Sequence, residues 1–119
     1  MKTILLIEDT MTEAIIIKDA LAKAGFRIIQ ASSSEEAQKA LATNKPDLIL
    51  TDIVLPGESG FDLCRSVKES PDTADIPVVM CSTKDSEMDK FWGMKQGAAA
   101  YLTKPISHEE LIKTVKQHA

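Results

Sequence analysis

Short apolar runs alternate with longer amphipathic stretches along this chain, and the alternation repeats five times. Ile4 to Ile7, Arg27 to Ala31, Leu48 to Leu50, Val78 to Cys81 and Ala98 to Leu102 predict strands. Three of them are nearly unbroken apolar runs, as strands need when helices cover both faces of a sheet. The stretches between them predict helices with legible ends. Ala14, Ile17, Leu21 and Ala24 share one helical face, and Gly25 can supply the left-handed residue that ends it. Ser33 with Glu36, and Ser107 with Glu110, have capping-box spacing. Pro46 and Pro71 stop the second and third helices, Gly97 ends the fourth, and the fifth runs through Leu111, Ile112 and Val115. Strand and helix in strict alternation predict an α/β fold with a parallel sheet. Right-handed crossovers would wind it into an open, doubly wound sheet.

Sheets of that kind bind ligands beyond the carboxyl ends of their strands. Strand one ends in Glu8 and Asp9, strand three in Asp52, strand four in Ser82 and Thr83, and strand five leads to Lys104 and Pro105. Three carboxylates in one crevice repel one another; two unit charges about 4 Å apart cost roughly 4 kcal/mol at an effective dielectric near 20. Cations must compensate. Lys104 supplies one charge, and a hard, oxygen-seeking ion such as magnesium suits the rest. Without His or Cys at these ends, zinc and copper are disfavoured. A metal, a lysine and a hydroxyl around a carboxylate suit phosphoryl transfer, with Asp52 as the nucleophile. Taken alone, Asp9 would equally suit a helix cap, and Lys104 a solvated surface residue.

Composition narrows the partners. The 119 residues fit one domain, 1–119, with no room for an output domain. The net charge of -4 argues against nucleic acid, whose phosphates must be neutralised by Lys and Arg. Cys64 and Cys81 lie in apolar stretches without metal-ligand spacing, and read as buried free thiols. No apolar run is long enough for a signal peptide or membrane insertion, which predicts a cytoplasmic location. Met88, Phe91 and Trp92 most simply pack the fourth helix onto the sheet; a part-exposed Trp92 beside Lys95 and Tyr101 would instead suit a partner surface. His108 and His118 read as solvated.

LLIED at 5 to 9, DLILTD at 47 to 52 with PGESG at 56 to 60, IPVVMCST at 76 to 83 and GAAAYLTKP at 97 to 105 stand in order and spacing. Together they make the chain resemble, from end to end, the response-regulator receiver domains of two-component systems. The resemblance implies a flavodoxin-like sheet of order 2-1-3-4-5 with five helices. It implies that Asp52 is the phosphoacceptor and that Asp9, Asp52 and the main-chain carbonyl of Val54 bind Mg2+, with Glu8 acting through water. Lys104 would pair with the phosphoryl group, Ser82 would hydrogen-bond it, Tyr101 would turn inward when Ser82 moves, and Pro105 would follow a cis bond. Ser82 stands where Thr is more frequent, and Glu8 where Asp is; both keep the required chemistry.

The function implied is a phosphorylation switch of the single-domain chemotaxis or twitching-motility type. A histidine kinase or phosphotransfer protein would donate, and a downstream protein target would read the change, through the fourth helix, fifth strand and fifth helix. Such a protein modifies only itself and is not a metabolic enzyme; a monomer or weak dimer is expected. A phosphate-independent module of the same fold is disfavoured by the intact acids and lysine. A flavin carrier is disfavoured by the acidic turn after strand one, and a dehalogenase-type phosphatase by Val54 where a second Asp would stand.

Overall fold

The computed structural model describes all 119 residues. In chain order the elements are β1 (Thr3–Ile7), α1 (Met11–Lys23), β2 (Arg27–Ala31), α2 (Ser34–Thr43), β3 (Leu48–Thr51), α3 (Gly60–Glu69), β4 (Val78–Ser82), α4 (Glu87–Lys95), β5 (Ala100–Thr103) and α5 (His108–His118). The strands form one parallel sheet of order β2-β1-β3-β4-β5. This is the expected topology.

Strand side chains alternate between the sheet faces, and two apolar clusters result. Ile4, Leu6, Leu48, Leu50, Val79 and Cys81 pack with Ala14, Ile17 and Leu21 of α1 and Leu111 and Val115 of α5. Leu5, Ile7, Ile49, Val78 and Met80 pack with Ala37 of α2 and Leu63, Cys64 and Val67 of α3. Every residue of β3 and β4 is buried, which is why these strands read as unbroken apolar runs. No helix is long and apolar enough to cross a membrane.

The caps behave largely as their spacing predicts. Gly25 and Gly97 have positive φ, 96° and 105°. Ser33 Oγ accepts from the Glu36 N–H and Ser107 Oγ from the Glu110 N–H. Glu36 reaches back one residue further than a capping box requires, accepting from the Ser32 N–H. The Lys104–Pro105 bond is cis, as the family resemblance implied.

Two expectations fail. β5 begins at Ala100 rather than Ala98, because the Ala98 N–H donates to Gly93 O and closes α4 instead of joining the sheet. The large side chains of α4 do not pack on the sheet: Met88, Phe91, Trp92 and Met94 are all exposed, Phe91 at 60%. The only buried residue of α4 is Gly93. A Cβ there would stand 2.9 Å from Met80 Sδ and 3.1 Å from Tyr101 Cδ2. The helix meets the sheet through its glycine, and its bulky residues turn to water.

Candidate functional site

Glu8 extends β1, its N–H donating to Ala31 O, and its side chain is buried at 2% exposure. Asp9 follows at the surface. It does not cap α1; the N-cap position is Thr10, without a side-chain cap bond. Asp52 leaves β3 with its N–H on Ile7 O. Its Oδ1 accepts from the Ile53 and Val54 N–H groups at 2.6 and 3.2 Å. Val54 is thereby held at the rim with its side chain exposed. Behind this turn the Gly60 N–H donates to Ile53 O, and Asp52 O lies where a Gly60 Cβ would be, 2.2 Å from its ideal position. Only glycine admits this approach of α3 to the backbone bearing Asp52.

Lys104 arrives from the end of β5, its N–H donating to Ser82 O. Its side chain is 7% exposed, and Nζ lies 2.6 Å from Glu8 Oε1, 2.9 Å from Asp52 Oδ2 and 3.2 Å from Glu13 Oε1. Burial opposes charge on this ammonium, but the hydrogen bonds to Glu8 and Asp52 outweigh burial and hold its pKa above the ordinary lysine value. Burial likewise raises the Glu8 carboxyl, and the bond to Lys104 pulls it only part of the way back. Glu13, in the first turn of α1, was not foreseen, because no spacing in the sequence ties it to Lys104.

One ligand oxygen from each of Glu8, Asp9 and Asp52 lies within 4.8 Å of the others. An all-oxygen, all-carboxylate set fits magnesium, a hard ion that keeps several waters and takes few protein ligands. Burial pushes the Cys81 thiol up to about 12 and Cys64 up to about 11, so both are protonated at neutral pH and neither is a nucleophile.

Ser82 is buried, and its Oγ accepts from the Lys84 N–H at 3.2 Å. Tyr101 OH donates to Lys84 O at 2.5 Å. The two residues therefore hold the same amino acid from opposite ends of its backbone. Burial, then the charges of Asp89 and Asp52, push the Tyr101 hydroxyl up to about 12, so it remains a donor.

Residues 4–116 match the family model described as the response regulator receiver domain. The chain belongs to the response-regulator receiver family. Among curated relatives of this receiver, protein PilH of Pseudomonas aeruginosa is 40% identical over 115 residues, spanning 97% of this chain and 95% of PilH. The phosphate regulon transcriptional regulatory protein PhoB of the same organism is also 40% identical over 115 residues, but the receiver spans only 50% of PhoB. Among solved structures, the chemotaxis response regulator CheY4 of Vibrio cholerae superposes with a TM-score of 0.93 at 26% identity, covering 100% of this chain and 99% of CheY4. The phosphorylated cyanobacterial phytochrome response regulator RcpA superposes with a TM-score of 0.84 at 30% identity, over 98% of this chain and 89% of RcpA. The protein is thus a two-component receiver and a homologue of PilH.

Proposed function

We propose that this receiver accepts a phosphoryl group on Asp52 from a histidine kinase or phosphotransfer protein and thereby switches its contacts with a downstream protein. The observation that carries the reading is the buried Lys104 ammonium on Asp52 Oδ2, beside three converging carboxylates. Oδ1 already accepts two backbone N–H bonds, which leaves Oδ2 the freer oxygen for attack. Oδ2 forms a bond to phosphorus as the bond from phosphorus to the donor's nitrogen or oxygen breaks, and the leaving group keeps that electron pair. Lys104 then lies beside the transferred phosphoryl oxygens and offsets their charge. Glu8, Asp9, Asp52 and the Val54 carbonyl are the residues proposed to hold Mg2+, which when bound supplies charge neutralisation to the transferring group. The phosphorylated state of RcpA supports the same chemistry here.

Ser82 is proposed to release the Lys84 N–H and turn to a phosphoryl oxygen. Since Tyr101 holds the carbonyl of that same Lys84, its hydroxyl would be freed and its ring could turn inward. Such a change would be felt along α4, β5 and α5, where Phe91 and Trp92 face water. A protein target reading that face would explain why large apolar side chains are left exposed.

The direct test is intact mass after incubation with acetyl phosphate, with and without magnesium. One magnesium-dependent phosphoryl addition is expected, absent from Asp52→Asn. No addition, even with a kinase and rapid quenching, would leave a phosphate-independent interaction module. For the output face, Trp92→Ala should weaken target binding in pull-down titrations while phosphorylation proceeds normally; unchanged affinity would rule that face out.

A further inference from the structure

A lysine ammonium has three N–H donors; in this receiver Lys104 hydrogen-bonds Glu8 and Asp52 and forms an ion pair with a third carboxylate, Glu13. The three are not equivalent. Glu8 and Asp52 come from strand ends and are 2% and 12% exposed, whereas Glu13 comes from the first turn of α1 and is 40% exposed. Its contact is also the longest, at 3.2 Å.

When a phosphoryl group bonds to Asp52 Oδ2, that oxygen ceases to be a charged acceptor, and Lys104 must turn from it to a phosphoryl oxygen, which strains its contacts with the two other carboxylates. Releasing Glu8 would leave a buried carboxylate without its ammonium, which is strongly unfavourable. Releasing Glu13 is cheap, because water resolvates a part-exposed carboxylate. There is room for it: Glu13 and Lys104 share the lining of an open cleft of about 210 Å3 with Ile16, Ile17, Pro105 and Leu111. Glu13 also adds a negative charge close to where a dianionic donor must arrive.

We infer that Glu13 is a positioning residue: it tethers Lys104 in the resting pocket and is the contact that loosens when Lys104 turns from Asp52 to the phosphoryl oxygen, so that it restrains phosphorylation of Asp52. This rests on the phosphoacceptor reading above and adds to it a residue that acts through Lys104 rather than on phosphorus. The transfer itself is unchanged.

The test is the rate constant for phosphoryl addition from acetyl phosphate in saturating magnesium, followed by intact mass for the parent, Glu13→Gln and Glu13→Lys. Because the tether is one part-exposed ion pair, Glu13→Gln should react about two- to fivefold faster than the parent. Glu13→Lys should be faster still. The advantage of both should shrink in salt on the order of 1 M, where the screening length is about 3 Å. A role confined to starting α1 would alter the melting temperature, leaving the rate ratio and its salt dependence unmoved. Rates within about 1.5-fold of the parent for both variants, or slower rates, would overturn the inference while leaving the phosphoacceptor reading standing. A parent that takes up no phosphoryl group would remove both, and is distinguished by that result alone.

Discussion

The two functional regions of this receiver treat their side chains in opposite ways. At the carboxyl edge of the sheet, charged groups are drawn inside: Lys104 and Glu8 are nearly buried and the ammonium is ringed by three carboxylates. On α4, apolar groups are left outside, with Met88, Phe91, Trp92 and Met94 in water and only Gly93 against the sheet. Each arrangement forgoes stability where it stands. The first places desolvated charge where a phosphoryl group can exchange for an existing partner, and the second keeps apolar area available to a protein. Lys84 lies between them, bonded to Ser82 on the pocket side and to Tyr101 beneath α4.

The largest effect is expected from removing the charge that holds the pocket together. Lys104→Met strands Glu8 in a buried site and leaves the acids to repel one another, a loss of about 3 kcal/mol near neutral pH with metal chelated. The loss should depend on pH in a definite direction. Without the ammonium, the burial that already raises Glu8 is opposed only by the hydrogen bond from the Thr10 N–H, so its folded pKa rises further above the ordinary 4.5. Between those two values the folded state binds more protons than the unfolded state, and stability falls as pH rises through the window. Urea titrations should therefore find the deficit small near pH 4.5 and full near neutrality. A deficit equal at both would mean that Lys104 matters by packing and that the charged pocket is not under electrostatic tension.

Much of the pocket was legible in the sequence because chain direction alone takes all parallel strand ends to one edge. Glu8, Asp9, Asp52, Ser82 and Lys104 each follow an apolar run, so knowing the strands located the residues. What was not legible depended on contacts between segments distant in sequence. Glu13 reads as an ordinary acidic residue in a helix's first turn until Lys104, far along the chain, is brought beside it. The packing of α4 was misread for a related reason. Met88, Phe91 and Trp92 have the spacing of a buried stripe, yet the close fit of Gly93 over Met80 and Tyr101 sets the helix's rotation. The bracing of Lys84 by Ser82 and Tyr101 leaves no mark on residue type, since both bonds are made by the Lys84 backbone.

A pair of alanine substitutions would sharpen the contrast, because both regions bring a helix to the sheet through a glycine. At Gly60 a methyl group would meet backbone: Asp52 O at 2.2 Å and Ile53 Cα at 2.9 Å. Neither atom can move without displacing the turn that presents the Asp52 carboxylate. Gly60→Ala should cost about 1–3 kcal/mol, the usual range for overpacking, and should slow phosphoryl addition as well. At Gly93 the nearest atoms are the Met80 thioether at 2.9 Å and the Tyr101 ring at 3.1 Å, both parts of side chains. The thioether can swing aside, and alanine gains about 0.5–1 kcal/mol over glycine inside a helix. Gly93→Ala should therefore change stability by less than about 0.5 kcal/mol. Its effect should appear instead in the position of the Tyr101 ring and its bond to Lys84, read as shifted aromatic resonances in NMR spectra with normal phosphorylation. Equal destabilisation by the two substitutions would show that α4 sits on the sheet as rigidly as α3 does, and the division into a fixed pocket and an adaptable face would fail.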